Sequence, residues 1–95
     1  MRMGTVRVSG PSMVPTLYGG DLLVVRRGAR VRTGDLVVGR LRARPELLVV
    51  KRAVAEQDGG WQVVSDNPYG GSVSGLADVE ARVLLRYWPP RRRRG

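Results

Sequence analysis

Two residues of this chain could together activate a hydroxyl group for attack on a peptide bond. Ser12 lies in "VSGPSMVPTLYGGDLLVV", a segment with two prolines and three glycines, and Lys51 is the single lysine among 17 basic residues. A lysine amine that is removed from water loses its proton more readily and can act as a general base, whereas an arginine stays protonated. Residue types alone therefore point to a serine nucleophile with a lysine base.

The residue types that are absent narrow the chemistry further. The sequence has no histidine and no cysteine, which excludes a Ser-His-Asp triad, a thiol nucleophile and the common nitrogen and sulfur ligands of metals. We therefore expect no metal and no other cofactor. A Ser–Lys pair is the main arrangement that remains for nucleophilic catalysis.

The neighbours of both residues suit these roles. Lys51 lies in "LLVVKRAVA", where strand alternation places Val49, Lys51 and Ala53 on one face of small apolar side chains. Pro11 and Pro15 restrict the backbone on either side of Ser12. An ordinary surface loop is the simpler interpretation of the serine segment when it is considered alone.

The rest of the chain predicts an all-β fold, a small, mostly antiparallel coiled sheet or partial barrel. Short Val- and Leu-rich runs alternate with Gly, Pro, Asp and Asn, as in sheets with tight turns. "QDGG" at 57–60 is typical of a hairpin turn. Leu76–Arg82 could form a single helical turn. The predicted strands are Arg2–Val8, Asp21–Arg27, Asp35–Leu41, Glu46–Glu56, Trp61–Ser65 and Ala81–Trp88.

Length and charge set the organisation that we expect. The chain has 95 residues and a net charge of +9, which suits one domain at 1–88 followed by a basic, disordered tail at 89–95 that includes Arg91–Arg94. No apolar run approaches the ~20 residues of a membrane span, and no signal peptide is evident. These observations predict a cytoplasmic protein without a membrane anchor.

Three segments in order resemble the type I signal peptidase superfamily of serine–lysine peptidases. "SGPSMVPTL" is similar to its serine box, "VVKRAVA" to its lysine box, and "SDNP" to the downstream Gly-Asp-Asn box. The length, "LLVVKRAV", "DNP" and "RVLLRYWPP" resemble most closely the proteases of nickel-type superoxide dismutase maturation. The resemblance implies the signal peptidase type of β-fold and removal of a short N-terminal extension from a precursor protein, which would be the dismutase.

The resemblance also implies a role for each matching residue. Ser12 would be the nucleophile, Lys51 the general base, and Met13 part of the substrate pocket. The strands that contain Val6 and Val8 and that contain Leu48, Val49 and Val50 would hold the substrate as an added strand. Gly10 stands where many relatives have a serine that stabilises the oxyanion. Ser72 or Ser74 would support Lys51, and the sequence does not choose between them.

Two other functions stay open on the sequence. A signal-peptide-cleaving peptidase would act at a membrane, and contact with a membrane surface needs no anchor. A non-enzymatic basic β-barrel that binds nucleic acid would explain the net charge of +9 but not the serine box or the single lysine. We consider nucleic acid the less suitable partner and a protein precursor the more suitable one.

Overall fold

A computed structural model describes residues 2–10, 13, 16–67, 69 and 74–88 of the chain. Its strands pair in the order β1-β2-β6-β3-β4-β5, and every pairing is antiparallel. The described residues contain no helix, which confirms the predicted all-β class. The strands are β1 (Arg2–Arg7), β2 (Leu22–Arg27), β3 (Leu36–Leu41), β4 (Arg44–Gln57), β5 (Gly60–Val64) and β6 (Gly75–Trp88).

The sheet closes on itself over part of its width. β5 pairs with the first residues of β6 as well as with β4, so β3, β4, β5 and β6 form a ring. β4 and β6 each have 14 residues, which is long enough to pair with different strands along their length. β2 continues from the second half of β6, and β1 continues from β2. The result is the coiled sheet with a partial barrel that the sequence predicts.

Two apolar clusters stabilise this arrangement, one on each face of the coiled sheet. The first joins the β1–β2 region and the serine segment to the outside of β3 and β6, and it contains Val8, Met13, Leu17, Leu23, Val25, Val38 and Ala81. The second fills the ring and contains Val37, Leu41, Ala53, Val63 and Ala77. Neighbouring residues of β3 and β4 point into different clusters because side chains alternate along a strand.

The turn predictions had different outcomes. Asp58 and Gly59 have φ angles of 52° and 77°, as a two-residue hairpin with both central residues left-handed requires, which confirms the hairpin at 57–60. The helical turn predicted at Leu76–Arg82 is wrong, because β6 begins at Gly75. Buried Ala77 and Ala81 lie in different clusters because the register with β3 shifts between them. Pairing with β3 outweighs the local helix preference of this segment.

Two further expectations concern the membrane and the tail. In the part of the chain that the structure describes, no helix is long and apolar enough to cross a membrane. The basic tail at 89–95 lies outside the described residues.

Candidate active site

Lys51 lies inside the ring, where only 2 % of its surface is exposed. Its cross-strand partner on β3 is Val37, and Val49 and Ala53 on the same face of β4 pack in the cluster that fills the ring. The face predicted for Lys51 is therefore the buried one. Removal from water penalises the ammonium form and lowers the pKa of Lys51 below its usual value.

The described hydroxyl group that contacts Lys51 is that of Ser65. Nζ of Lys51 donates a hydrogen bond to Oγ of Ser65 at 2.9 Å. Ser65 directly follows β5, on the face that Val63 shares with Lys51. This hydrogen bond fixes one direction of the amine and so orients its remaining valences.

A change of register in the β4–β5 pair brings Ser65 to this position. Near the hairpin Gln57 pairs with Gly60, but beyond Val54 the register shifts by one residue, so that Ala53 pairs with Val63. Val54 is the extra residue of this β-bulge. Continued along the strands, the shifted register places Ser65 opposite Lys51, as the hydrogen bond between them requires.

Asp66, the next residue, connects the lysine strand with the serine segment. Its carboxylate accepts two hydrogen bonds from Arg52, at 3.2 and 2.5 Å, and one from the hydroxyl of Thr16 at 2.6 Å. Its N–H donates to Sδ of Met13 at 3.3 Å. The hydrogen bonds from Arg52 are the main reason that the pKa of Asp66 is lowered, and burial opposes them. We call Arg52, Thr16 and Asp66 the carboxylate clamp.

The described residues of the serine segment are firmly anchored. Met13 and Leu17 are buried in the first cluster, and the N–H of Leu17 donates to the carbonyl of Met13 at 2.8 Å. Gly10 is exposed and has a φ of 80°, a left-handed conformation that a residue with a Cβ rarely adopts. Ser12 itself lies outside the described residues.

The edge of β4 beside Lys51 has no partner strand among the described residues. β3 pairs with one edge of β4 from Arg44 to Arg52, and β5 pairs with the other edge only from Arg52 onward. Ala53 exchanges main-chain hydrogen bonds with Asp35 and Gly34 on the β3 side. The direction of main-chain hydrogen bonding alternates from residue to residue along a strand. Leu48 and Val50 therefore direct their N–H and C=O groups to the open edge.

On β1, the two valines predicted to hold the substrate pair with β2. The N–H of Val8 donates to Asp21 and its carbonyl accepts from Gly20, both at 2.8 Å, so Val8 and Val6 direct their main chains toward β2. By the same alternation, Thr5 and Arg7 face the outer edge of β1, where the structure describes no partner strand. Strand alternation gives two sets of residues on β1, and only the register shows that Thr5 and Arg7 belong to the set that faces this edge.

The side chains predicted to contact the substrate are partly buried and partly exposed. Val8 and Met13 are buried, Val6 and Val50 pack against the first cluster, and Val49 packs against the second. Leu48 is exposed. The side chains of Val8 and Met13 therefore belong to the core, and Leu48 is the member of this set most available to a ligand.

Of the two serines predicted to support Lys51, the structure describes one. Ser74 is exposed and immediately precedes β6, while Ser72 lies outside the described residues. Sequence reasoning missed Ser65 in this role, although it is the first residue of the "SDNP" segment. A register counted from the 57–60 hairpin brings this segment close to Lys51, although it would pair Lys51 with Asp66 and not with Ser65.

Comparison with known proteins identifies a family. A search of curated proteins returns none. A family model described as Peptidase S24-like matches residues 2–81, a range that contains Ser12, Lys51, Ser65 and Asp66. This match supports the predicted superfamily and leaves the link to nickel-type superoxide dismutase as a prediction. Since the match covers most of the chain, the protein belongs to the peptidase S24-like family, which groups it with the serine peptidases of the signal peptidase type.

Proposed function

We propose that this protein is a serine endopeptidase with a Ser12–Lys51 dyad, which removes a short N-terminal extension from a precursor protein. The observation that carries the proposal is the state of Lys51. A lone lysine, 2 % exposed, with its pKa lowered by burial and its amine on the hydroxyl of Ser65, has the properties of a general base.

Contacts of the residues next to Ser12 support its pairing with Lys51. Met13, the chain neighbour of Ser12, contacts Asp66, and Ser65, the chain neighbour of Asp66, contacts Lys51. In the proposed reaction the Ser12 hydroxyl attacks the scissile carbonyl carbon while its proton moves to Nζ of Lys51. Lys51 then protonates the leaving amine, and water hydrolyses the acyl ester with Lys51 again as the base.

The open edges support an extended substrate. Leu48 and Val50 on β4, and Thr5 and Arg7 on β1, direct unpaired main-chain groups outward among the described strands. An added strand would satisfy these groups whatever its side chains, and the exposed Leu48 would then contribute to selectivity. A flexible N-terminal extension has the extended backbone that such pairing requires.

We further propose that the precursor is that of nickel-type superoxide dismutase. The support is the resemblance of "SGPSMVPTL", "LLVVKRAV" and "RVLLRYWPP" to proteases of that maturation. The protein would act in the cytoplasm on a newly made precursor.

Co-expression with the dismutase precursor, followed by mass spectrometry of the dismutase N-terminus, tests both proposals. The wild-type protein should shorten the precursor, and Ser12→Ala and Lys51→Met should each leave it uncut. Ser9→Ala, a serine change in the same segment, is the control that should cleave. Full cleavage by Lys51→Arg would contradict the general-base role, since arginine remains protonated.

A further inference from the structure

The outward face of β1, β2 and the second half of β6 is apolar at its centre. The register places Thr5 opposite Val24 and Val24 opposite Leu85, so these side chains form one row, with Leu22 and Met3 in the adjoining rows. Met3 and Leu85 are 51 % and 53 % exposed. The inward face of β2 carries Leu23 and Val25, which are buried in the first cluster.

This pattern departs from that of an ordinary two-faced sheet. An antiparallel sheet with one solvated face usually has polar residues on that face. Here β2 is apolar on both faces, although the described structure covers only one of them. Exposed apolar patches with a polar rim mark interaction surfaces.

Arginines surround the apolar row. Arg26 lies opposite Met3 on one side and Arg82 on the other, and Arg7 lies opposite Leu22. Residues 2–7, 22–27 and 81–88 contain no acidic side chain. Two acidic residues border these ranges: Asp21 is fully buried beside Arg86, and Glu80 forms an ion pair with Arg40 of β3 at 2.9 Å. We call this surface the arginine–leucine face.

Its charge and shape select one kind of occupant. A second copy of the chain would bring arginines against arginines, which like-charge repulsion disfavours. Nucleic acid would satisfy the arginines but leave Met3 and Leu85 against polar sugar and phosphate. Arginine side chains reach farther from the sheet than Val24 and Leu22 do, so a lipid surface would meet the guanidinium groups before the apolar row.

A protein surface with an apolar centre and acidic side chains at its rim fits both parts of the face. Arginine and methionine are enriched in protein interfaces, whereas lysine, aspartate and glutamate are depleted. The described face has that composition. It also adjoins the outer edge of β1, where the extension of a precursor would bind as a strand.

We propose that the arginine–leucine face binds an acidic, folded region of the precursor protein and thereby holds the extension beside the open edges. The proposal rests on the function proposed above. It predicts that the folded part of the precursor contributes to binding, separately from the residues around the cleaved bond.

The test compares two substrates: the full dismutase precursor and a synthetic peptide that spans its cleavage site. Arg26→Glu and Leu85→Ser should each raise KM for the full precursor by about tenfold, the effect of one central contact, and leave kcat/KM for the peptide unchanged. Arg27→Glu is the matched control, because it makes the same charge change on the next residue, which faces the other side of β2. Thermal unfolding verifies that each variant is folded.

Each result decides the proposal. Equal effects on both substrates, or an unchanged KM for the full precursor, would overturn it. If the wild-type protein cleaves neither substrate, binding of the full precursor to Ser12→Ala is measured. If Arg26→Glu weakens this binding and Arg27→Glu does not, the docking face is kept and the proposed cleavage is rejected. If the precursor does not bind, both proposals are rejected. The protein could fail to bind the precursor but bind anionic lipid vesicles or single-stranded DNA in a way that depends on Arg26. The arginine–leucine face would then be a binding site for that lipid or nucleic acid.

Discussion

At the scale of single residues, the burial of Lys51 should make both activity and stability depend on pH. The folded protein holds Lys51 with a lowered pKa, so the unfolded chain binds more protons between that value and about 10.4. Stability contributed by this residue therefore rises with pH across that interval. Activity that requires the neutral amine should rise through the lowered pKa as well.

Lys51→Met should accordingly stabilise the fold while it abolishes cleavage. The apolar side chain fills a similar volume without the cost of a buried amine, so the free energy of unfolding should increase by on the order of 1 kcal/mol at pH 7. The gain should shrink as the pH rises toward 10.4. Chemical denaturation at several pH values measures this gain, and a gain independent of pH would mean that folding does not lower the pKa of Lys51.

Ser65→Ala tests the hydroxyl that contacts Lys51. Loss of this hydrogen bond should orient the amine less precisely and lower kcat by up to about 100-fold, with little effect on KM. Ser65→Thr, which keeps a hydroxyl group, should restore part of the activity. Ser74→Ala, a change at the exposed serine directly before β6, is the comparison. Equal losses for Ser65→Thr and Ser65→Ala would show that shape, rather than the hydrogen bond, determines the effect.

At the scale of elements, the carboxylate clamp should link the position of the serine segment to that of β4. Asp66→Asn removes the charge that holds Arg52 and Thr16, and it should cost about 1–3 kcal/mol of unfolding free energy at pH 7. Because the pKa of Asp66 is lowered in the folded state, this contribution is present above about pH 4 and is lost as the pH falls through the lowered value.

A surface carboxylate gives the comparison for that prediction. Asp78 forms an ion pair with Arg42 at 2.8 Å, but its side chain is 63 % exposed. Asp78→Asn should therefore cost less than about 1 kcal/mol. Denaturation curves at pH 7 and pH 3 compare the two variants. Equal costs at pH 7 would show that Asp66 does no more than an ordinary surface ion pair.

The strands show how far sequence patterns predict elements. Each of the six predicted runs overlaps one strand, and four of them extend one residue beyond it, at Val8, Asp21, Asp35 and Ser65. β-branched and leucine residues between glycine-rich turns leave little alternative to strands. The first half of β6 was missed, since "LADVEAR" has polar residues and alanines that carry no β signal of their own. Its strand conformation depends on partners that are distant in sequence, such as Leu41, which pairs with Ala77.

The candidate site also has one part that the sequence predicts and one part that it does not. Lys51 and its buried face follow from residue types and strand alternation. The contact with Ser65 does not, because counting outward from the 57–60 hairpin would pair Lys51 with Asp66. Only the bulge at Val54 changes this pairing, and nothing in the local sequence announces that bulge.

At the scale of the whole molecule, two glycines allow the ring to close. A Cβ on Gly39 would lie 2.5 Å from the carbonyl oxygen of Asp78, and one on Gly60 would lie 2.5 Å from that of Ala77. Gly39→Ala and Gly60→Ala should each cost about 1–3 kcal/mol of stability, because backbone atoms of β6 must move. Gly4→Ala, where the nearest atoms lie at 3.7 Å, is the control, and chemical denaturation measures all three.

Ring closure also bears on activity. β5 carries Ser65 to Lys51 and is held between β4 and β6, so a looser β5–β6 pair should weaken the contact at the lysine. Gly60→Ala should then lower kcat at temperatures where the protein is still folded. An unchanged kcat in a destabilised Gly60→Ala protein would show that β4 alone positions β5.

The bulge at Val54 decides which chemical group the lysine meets. If Val54 were paired in the ladder and Lys51 kept its face, the register would bring the carboxylate of Asp66 to Nζ of Lys51 and turn Ser65 to the outside. A neighbouring negative charge would hold the amine as an ammonium ion and leave it without a lone pair to accept a proton. One unpaired residue, three positions along the strand from the lysine, therefore separates a proton acceptor from a permanent cation.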